Sequence, residues 1–317
     1  MTSWDGGPQG SGSFAILDAR VPRAGVDYPQ DEAQLAKLFG NEAACWRYVE
    51  QLRFPHGFSC PSCETRQPPW RSGTSLLACT SCRQPVVLTQ GTLFQGSAVP
   101  ISRWMRALWQ VTDREVGVAG PTLQSVLGLP DATVADELLT RIRELMAIPA
   151  GRRLSGDVGV AIARVEIDGE RLLGNERPAV VLAFDRARPE PRIRLRHLPR
   201  VTANAIRAFV EANVERGSRV TTAPWRGFAA IGPAGYEHVT EPAPGRGLPG
   251  AEAVWSLLKQ WLKDTPGVEP RSMQAHLDEF TFRFNRRNYP RGLLFYRLVM
   301  IAVLFEHAKA GALLESA

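Results

Sequence analysis

Two Cys-x-x-Cys pairs, Cys60-Pro-Ser-Cys63 and Cys79-Thr-Ser-Cys82, stand fifteen residues apart in a 317-residue chain whose only other cysteine is Cys45. A tetrahedral Zn²⁺ takes four soft, deprotonated ligands. An x-x spacing lets one tight turn aim two sulfurs at a single ion, and a hairpin brings in the second pair. The spacing therefore assigns Cys60, Cys63, Cys79 and Cys82 to one structural zinc site. Two disulfides fit poorly with a chain that begins without a basic-then-apolar secretory leader, and a redox pair needs one motif in a βαβ context rather than two. The segment between the pairs has too little apolar material to hold itself, so the metal is expected to be part of its folding free energy. Cys45 reads as a small buried apolar side chain.

The formal charge of +6 and pI near 9.3 point towards a polyanionic partner. Almost all the positive charge is arginine, with lysine only at 37, 259, 263 and 309. That choice suits phosphate contacts, although a GC-rich coding bias accounts for it equally well. Around the cysteines, from Ala44 to Thr112, seven arginines face two glutamates. No apolar run approaches the roughly eighteen residues a membrane span needs. The expected location is cytoplasmic and nucleoid-associated, with no membrane partner.

Composition and periodicity divide the chain into a Gly/Ser/Pro-rich flexible tail (1–28), a zinc-ribbon domain with preceding helices (29–99), a helical segment (100–150) and an α/β domain (151–317). Ile101, Trp104, Leu108 and Val111 recur at helical spacing and read as core. Residues 115–147 read as helix, turn and helix about Gly128-Leu129-Pro130; a DNA-binding helix-turn-helix and a plain αα-hairpin fit equally. Beyond the linker 151–159, strands are expected at Val160–Ile167, Ala179–Phe184, Arg192–Leu198 and Ser218–Thr222. A helix is expected at Ala203–Val214, a loop over Gly232–Gly250, a long helix from Ala251 and a last helical region broken near Asn288-Tyr289-Pro290.

Four stretches then fall in a telling order: the ribbon with its tail TQGTLFQGSAVPISRW; Val165-Glu166-Ile167-Asp168; Trp225-Arg226-Gly227-Phe228 with Gly235-Tyr236-Glu237-His238; and Glu252-Ala253-Val254-Trp255-Ser256-Leu257-Leu258-Lys259 followed by HLDEFTFRFNRR. Together they resemble bacterial insertion-sequence transposases that place a zinc ribbon before an RNase H-like DDE domain. The resemblance covers roughly residues 30 to 300. It implies a multidomain α+β fold of N-terminal helices and zinc ribbon, a helix-turn-helix-like segment and a C-terminal RNase H-like α/β domain.

It also implies a chemistry. Such enzymes hold two divalent metals on three acidic or amide side chains for in-line displacement at phosphorus. The family's first Asp falls on Asp168. Its second, in a Thr-Asp-Gly-Trp-Arg-Gly pattern, falls on Ala223, and its Asn or acid before the long helix falls on Pro249, while Glu252 remains. Mg²⁺ is expected only if catalysis is retained, and the ligand set looks broken. Glu252 and Lys259, two helical turns apart, share one face as ligand and phosphate contact, or as an ordinary solvated surface. Asp185 has no spacing that supports its substitution as a ligand.

Candidate contacts to double-stranded DNA, in the first instance transposon ends, are Arg83, Arg103, Arg106, Arg141, Arg143, Trp225, Arg226, Lys259, Arg283, Arg286 and Arg287. A homo-oligomer is a further expectation. Three functions remain open on the sequence: a transposase-derived DNA-binding protein with impaired catalysis, an active DDE transposase, and a zinc-ribbon protein-interaction module.

Overall fold

The computed structural model describes residues 21–113, 115–148, 153–165, 179–241 and 248–306. The chain forms two compact units, one of residues 1–102 with 299–317 and the other of residues 103–298.

In the first unit, residues 23–28 form a closed turn bridged at Ala24 and Tyr28, and the Tyr48 hydroxyl donates to the Asp27 carbonyl. This corrects the expectation of a flexible tail reaching residue 28. Residues 1–20 lie outside the described residues. Helix α1 (Glu32–Phe39) is capped by Asp31, whose carboxylate accepts from the Gln34 N–H at 2.8 Å. Asn41 caps α2 (Glu42–Arg53) in the same way through Ala44 at 2.9 Å. A three-stranded antiparallel ribbon follows: β1 (Trp70–Arg71), β2 (Leu76–Ala78) and β3 (Pro85–Val87). Its small core is Phe58, Leu77, Val86 and Leu88 with the sulfurs of Cys60 and Cys79. Arg53 ties the end of α2 to the ribbon's exit by donating to the carbonyls of Leu88 and Gln90.

In the second unit, α3 (Ile101–Asp113) begins at the unit boundary, and Trp104, Leu108 and Val111 are fully buried, as their spacing predicts. Helix α4 (Gly120–Leu127) ends on Gly128 in the left-handed conformation, and α5 (Ala132–Ala147) is capped by Asp131. The sheet is built from β4 (Asp157–Arg164), β5 (Ala179–Asp185), β6 (Ile193–Leu198), β7 (Arg219–Thr222) and β8 (Glu237–Thr240), with α6 (Ala203–Asn213) between β6 and β7. The order is β6-β5-β4-β7-β8. The β6-β5-β4 half is antiparallel, and β7 and β8 run parallel to β4. Helices α7 (Ala251–Asp264) and α8 (Met273–Phe284) follow, and α9 (Leu293–Val303) has its first six residues in this unit. One apolar layer packs α6 beneath Val158, Val160, Val181 and Val220; the other packs α7 and α8 over Ala161, Val180, Leu182 and Leu195. This mixed sheet with helices on both faces is the RNase H-like arrangement.

Two expectations need correction. The central strand β4 (Asp157–Arg164) begins at Asp157 rather than Val160, because β5 and β7 both pair with it from its first residues; the expected end at Ile167 lies outside the described residues. The run Val158 to Ala163 is small or apolar throughout, so periodicity alone could not choose where the strand begins or its register. Strand β8 lies where a loop was expected. It is a short, polar edge strand, Glu-His-Val-Thr, identified by its pairing with β7 rather than by composition.

Candidate metal and nucleic-acid sites

Each Cys-x-x-Cys pair sits in the same backbone turn. Cys60 N–H donates to Thr65 O at 3.0 Å and Glu64 N–H to Cys60 O at 2.8 Å; Cys79 N–H donates to Gln84 O at 3.0 Å and Arg83 N–H to Cys79 O at 3.0 Å. Glu64 and Arg83, each the residue after the second cysteine of its pair, have φ of 59° and 62°, and among the described residues no other non-glycine residue has positive φ. The turns also aim backbone N–H groups at sulfur, Ser62 N–H to Cys60 Sγ at 3.4 Å and Cys82 N–H to Cys79 Sγ at 3.5 Å.

All four sulfurs lie within 4.8 Å of one another. Cys60 Sγ is 3.7 Å from Cys82 Sγ, and Cys63 Sγ is 3.6 Å from Cys79 Sγ. Zinc–sulfur bonds of about 2.3 Å in a tetrahedron put the sulfurs about 3.8 Å apart. The set therefore fits structural Zn²⁺. The thiols are divided electrostatically: the Cys82 N–H, the largest influence, holds Cys79 down to about 6. Burial opposes ionisation at Cys60, but the N–H groups of Ser62 and Cys63 carry it below its ordinary value. At Cys82 the Gln84 N–H pulls downward, yet burial and the sulfurs of Cys63, Cys79 and Cys60 push the thiol up to about 12. Four thiolates so close together need a cation, and a divalent metal supplies it.

The second candidate centre is a cavity of about 480 Å³ in the other unit, between the end of β7, the middle of β4 and the start of α7. Ala161, Ala163, Ala223, Leu248, Trp225 and Trp255 line it. Among the described lining residues none offers a side-chain oxygen, so the residues present do not fit Mg²⁺, which demands oxygen ligands. Ala223 follows β7 directly, and the buried Thr222 hydroxyl beside it donates to the Ala223 carbonyl and contacts His238 Nε2 at 2.9 Å. Pro249 is exposed just before α7, and Glu252 and Lys259 are both exposed on that helix. Its buried stripe is Ala251, Val254, Trp255, Leu258, Trp261 and Leu262. Asp168 lies outside the described residues. Asp185 is buried and spent on its own hairpin, accepting from Arg192 Nε at 3.2 Å and lying 3.7 Å from Arg188.

The expected DNA contacts separate into three groups. Three arginines are used internally. Arg143 Nε donates to Glu279 Oε2 at 3.0 Å and its Nη2 to Val118 O; Arg283 binds Glu279 Oε1 at 2.9 Å and the Val111 carbonyl. Arg286 stacks 4.0 Å over Phe282 and donates to the Phe282 carbonyl, and burial lowers its pKa to about 10. Arg143 and Arg283 join α5, α8 and the end of α3, and Arg286 folds back along α8, so all three guanidinium groups are engaged within the protein rather than turned to phosphate as expected. Arg141 lies over the Trp104 ring at 5.4 Å, and Arg103 is half-buried. By contrast Arg83, Arg106, Arg226 and Lys259 are exposed; Arg287 is exposed too, but stacks 4.3 Å over Phe284 and donates to the carbonyls of Phe284 and Pro191. Trp225 is also exposed, held edge-on to Phe228 at 5.3 Å. A Cβ at Gly227 would lie 1.9 Å from the Trp225 ring, so a side chain there would displace the ring from this position.

The family model for the transposase zinc-ribbon domain matches residues 40–85, and that for the ISXO2-like transposase domain matches residues 158–285, together more than half of the chain. The chain belongs to the insertion-sequence transposases. The ISXO2-like domain match opens at the second residue of β4 and closes just after α8, so the sheet and both covering helix layers of this transposase-family protein fall within it. No curated protein matches the sequence. Among solved structures, a chain in the cryo-EM structure of the simian T-cell lymphotropic virus intasome in complex with PP2A regulatory subunit B56 gamma aligns over 52% of this chain and 68% of its own, at 13% identity and a TM-score of 0.30. Among the described residues no helix is long and apolar enough to cross a membrane.

Proposed function

We propose that this transposase-family protein binds double-stranded DNA and has lost most or all strand cleavage and transfer. The observation that carries the reading is the contrast between its two metal sites. The four sulfurs stand at zinc-tetrahedron spacing, while Ala223, in the cavity beside the central strand, has no oxygen to give a metal. Arg83, Arg106, Arg226 and Lys259, all exposed, supply cations for phosphate, and Trp225 offers an exposed aromatic face. Transposon ends are the natural duplex to test.

Binding to duplex DNA should weaken steeply as salt rises, with a log–log slope corresponding to several released counterions. A strand-transfer assay on the element's ends with Mg²⁺ or Mn²⁺ should show no product above background. Robust metal-dependent transfer would overturn the loss of catalysis. No measurable duplex binding at low salt would instead favour a protein partner for the ribbon.

A further inference from the structure

We infer that the place of the lost first metal ligand is Ala161 rather than Asp168, so that two neighbouring strands have both exchanged a ligand position for alanine and the divalent-metal centre has become a cavity whose described lining has no oxygen-bearing side chain. This rests on the reading of the protein as catalytically silent and sharpens it.

The argument begins with distances. Two metals about 3.5–4 Å apart, bound at about 2.0–2.1 Å by oxygen, need carboxylates at one level of adjacent strands, which lie about 4.8 Å apart. Parallel pairing of β4 with β7 places Val160 beside Thr222. One residue further on each chain stand Ala161 and Ala223. Side chains alternate across a sheet. Val158 and Val160 enter the layer with α6, so Ala161 turns to the layer with α7, where it lines the same cavity as Ala223.

The packing on that face agrees. Gly159, Ala161 and Ala163 form a row of small residues along β4, and aromatic rings occupy the space beside them. A Cβ at Gly159 would lie 2.4 Å from the Phe184 ring, and the same ring meets the Cβ position of Gly250, at the start of α7, at 2.9 Å. Leu248 and Trp255 close the cavity from the helix side. The family match begins at Val158, making β4 the first strand of the catalytic domain, and Asp168 lies seven residues beyond Ala161 in sequence.

Restoring Asp at 223 alone should therefore not rebuild a site, whereas carboxylates at both strand positions should. The test is Mn²⁺ titration of the zinc-loaded, full-length protein, followed by loss of the free Mn²⁺ electron paramagnetic resonance signal, with zinc content and circular dichroism checking the fold. Wild type and Ala223→Asp should bind no saturating Mn²⁺. Ala161→Asp with Ala223→Asp should bind at least tenfold more tightly than either, and should keep that affinity when Asp168→Asn is added. Ala161→Asn with Ala223→Asp, which buries one fewer charge, carries the test if the Asp pair does not fold. The placement at Ala161 is overturned if Ala223→Asp alone gains binding that Asp168→Asn removes, or if folded double variants gain none. Saturable Mn²⁺ binding with strand transfer by the wild type would overturn the silent reading itself.

Discussion

Replacing Glu64 and Arg83 by glycine should tighten zinc binding. Both residues occupy the left-handed region, with φ of 59° and 62°, at the position where each turn swings the chain away from the metal. A side chain there costs about 1–2 kcal/mol through the approach of Cβ to the carbonyl oxygen. Glycine removes that cost but gives back about 0.4–1 kcal/mol through the freer unfolded chain. The net gain is about 0.5–1 kcal/mol per site, or about two- to fivefold in affinity. It appears in the metal affinity because binding and folding of such a segment are one equilibrium. The double variant should gain on the order of tenfold. Competition with a chromophoric chelator measures this directly. Glu64→Ala is the informative control: it deletes the carboxylate while keeping Cβ, so it should bind zinc as the parent does. If the glycine variants bind no more tightly than the parent, or if alanine and glycine behave alike, the strain assigned to these turns is absent.

Glu279 is 1% exposed and is held by both Arg143 and Arg283. Glu279→Ala should therefore cost about 3–5 kcal/mol in denaturant unfolding by leaving two guanidinium groups without their shared carboxylate, and Glu279→Gln should cost less. Cys45 is fully buried, and burial raises its thiol to about 12. A thiol reagent at pH 8 should find four fast cysteines after zinc chelation and a fifth that reacts only on unfolding. Burial raises the Asp278 carboxyl from 3.8 to about 6, against smaller opposing effects of Gln274 and Arg196. Between those values the folded state keeps a proton that the unfolded chain has released, so stability falls as pH rises from about 4 to 6. Asp278→Asn should accordingly be more stable than the parent at pH 7, by up to about 3 kcal/mol, with the two unfolding curves converging below pH 4.

What the sequence by itself determined was written in short spacings. The x-x interval of the cysteine pairs placed four sulfurs on one ion without reference to the rest of the chain. Asp31, Asn41, Asp131 and Thr202 each cap the helix that follows by accepting a backbone N–H three residues on. The stripe on α7 likewise separates Val254, Leu258 and Trp261 from the exposed Glu252 and Lys259. These interactions close within one or two turns, so residue types and intervals suffice to read them.

The tertiary structure decided what depends on partners distant in sequence. Arg143 resembled a phosphate contact until it met Glu279, 136 residues away. Strand β8 exists because β7 offers it a free edge. The level of β4 that faces Ala223 was set by pairing with β5 and β7, neither of which can be read from the apolar run itself. A zinc site built from two local turns survives inspection of the sequence alone; a site shared between strands requires their register, and a slip of one residue turns every side chain to the opposite face.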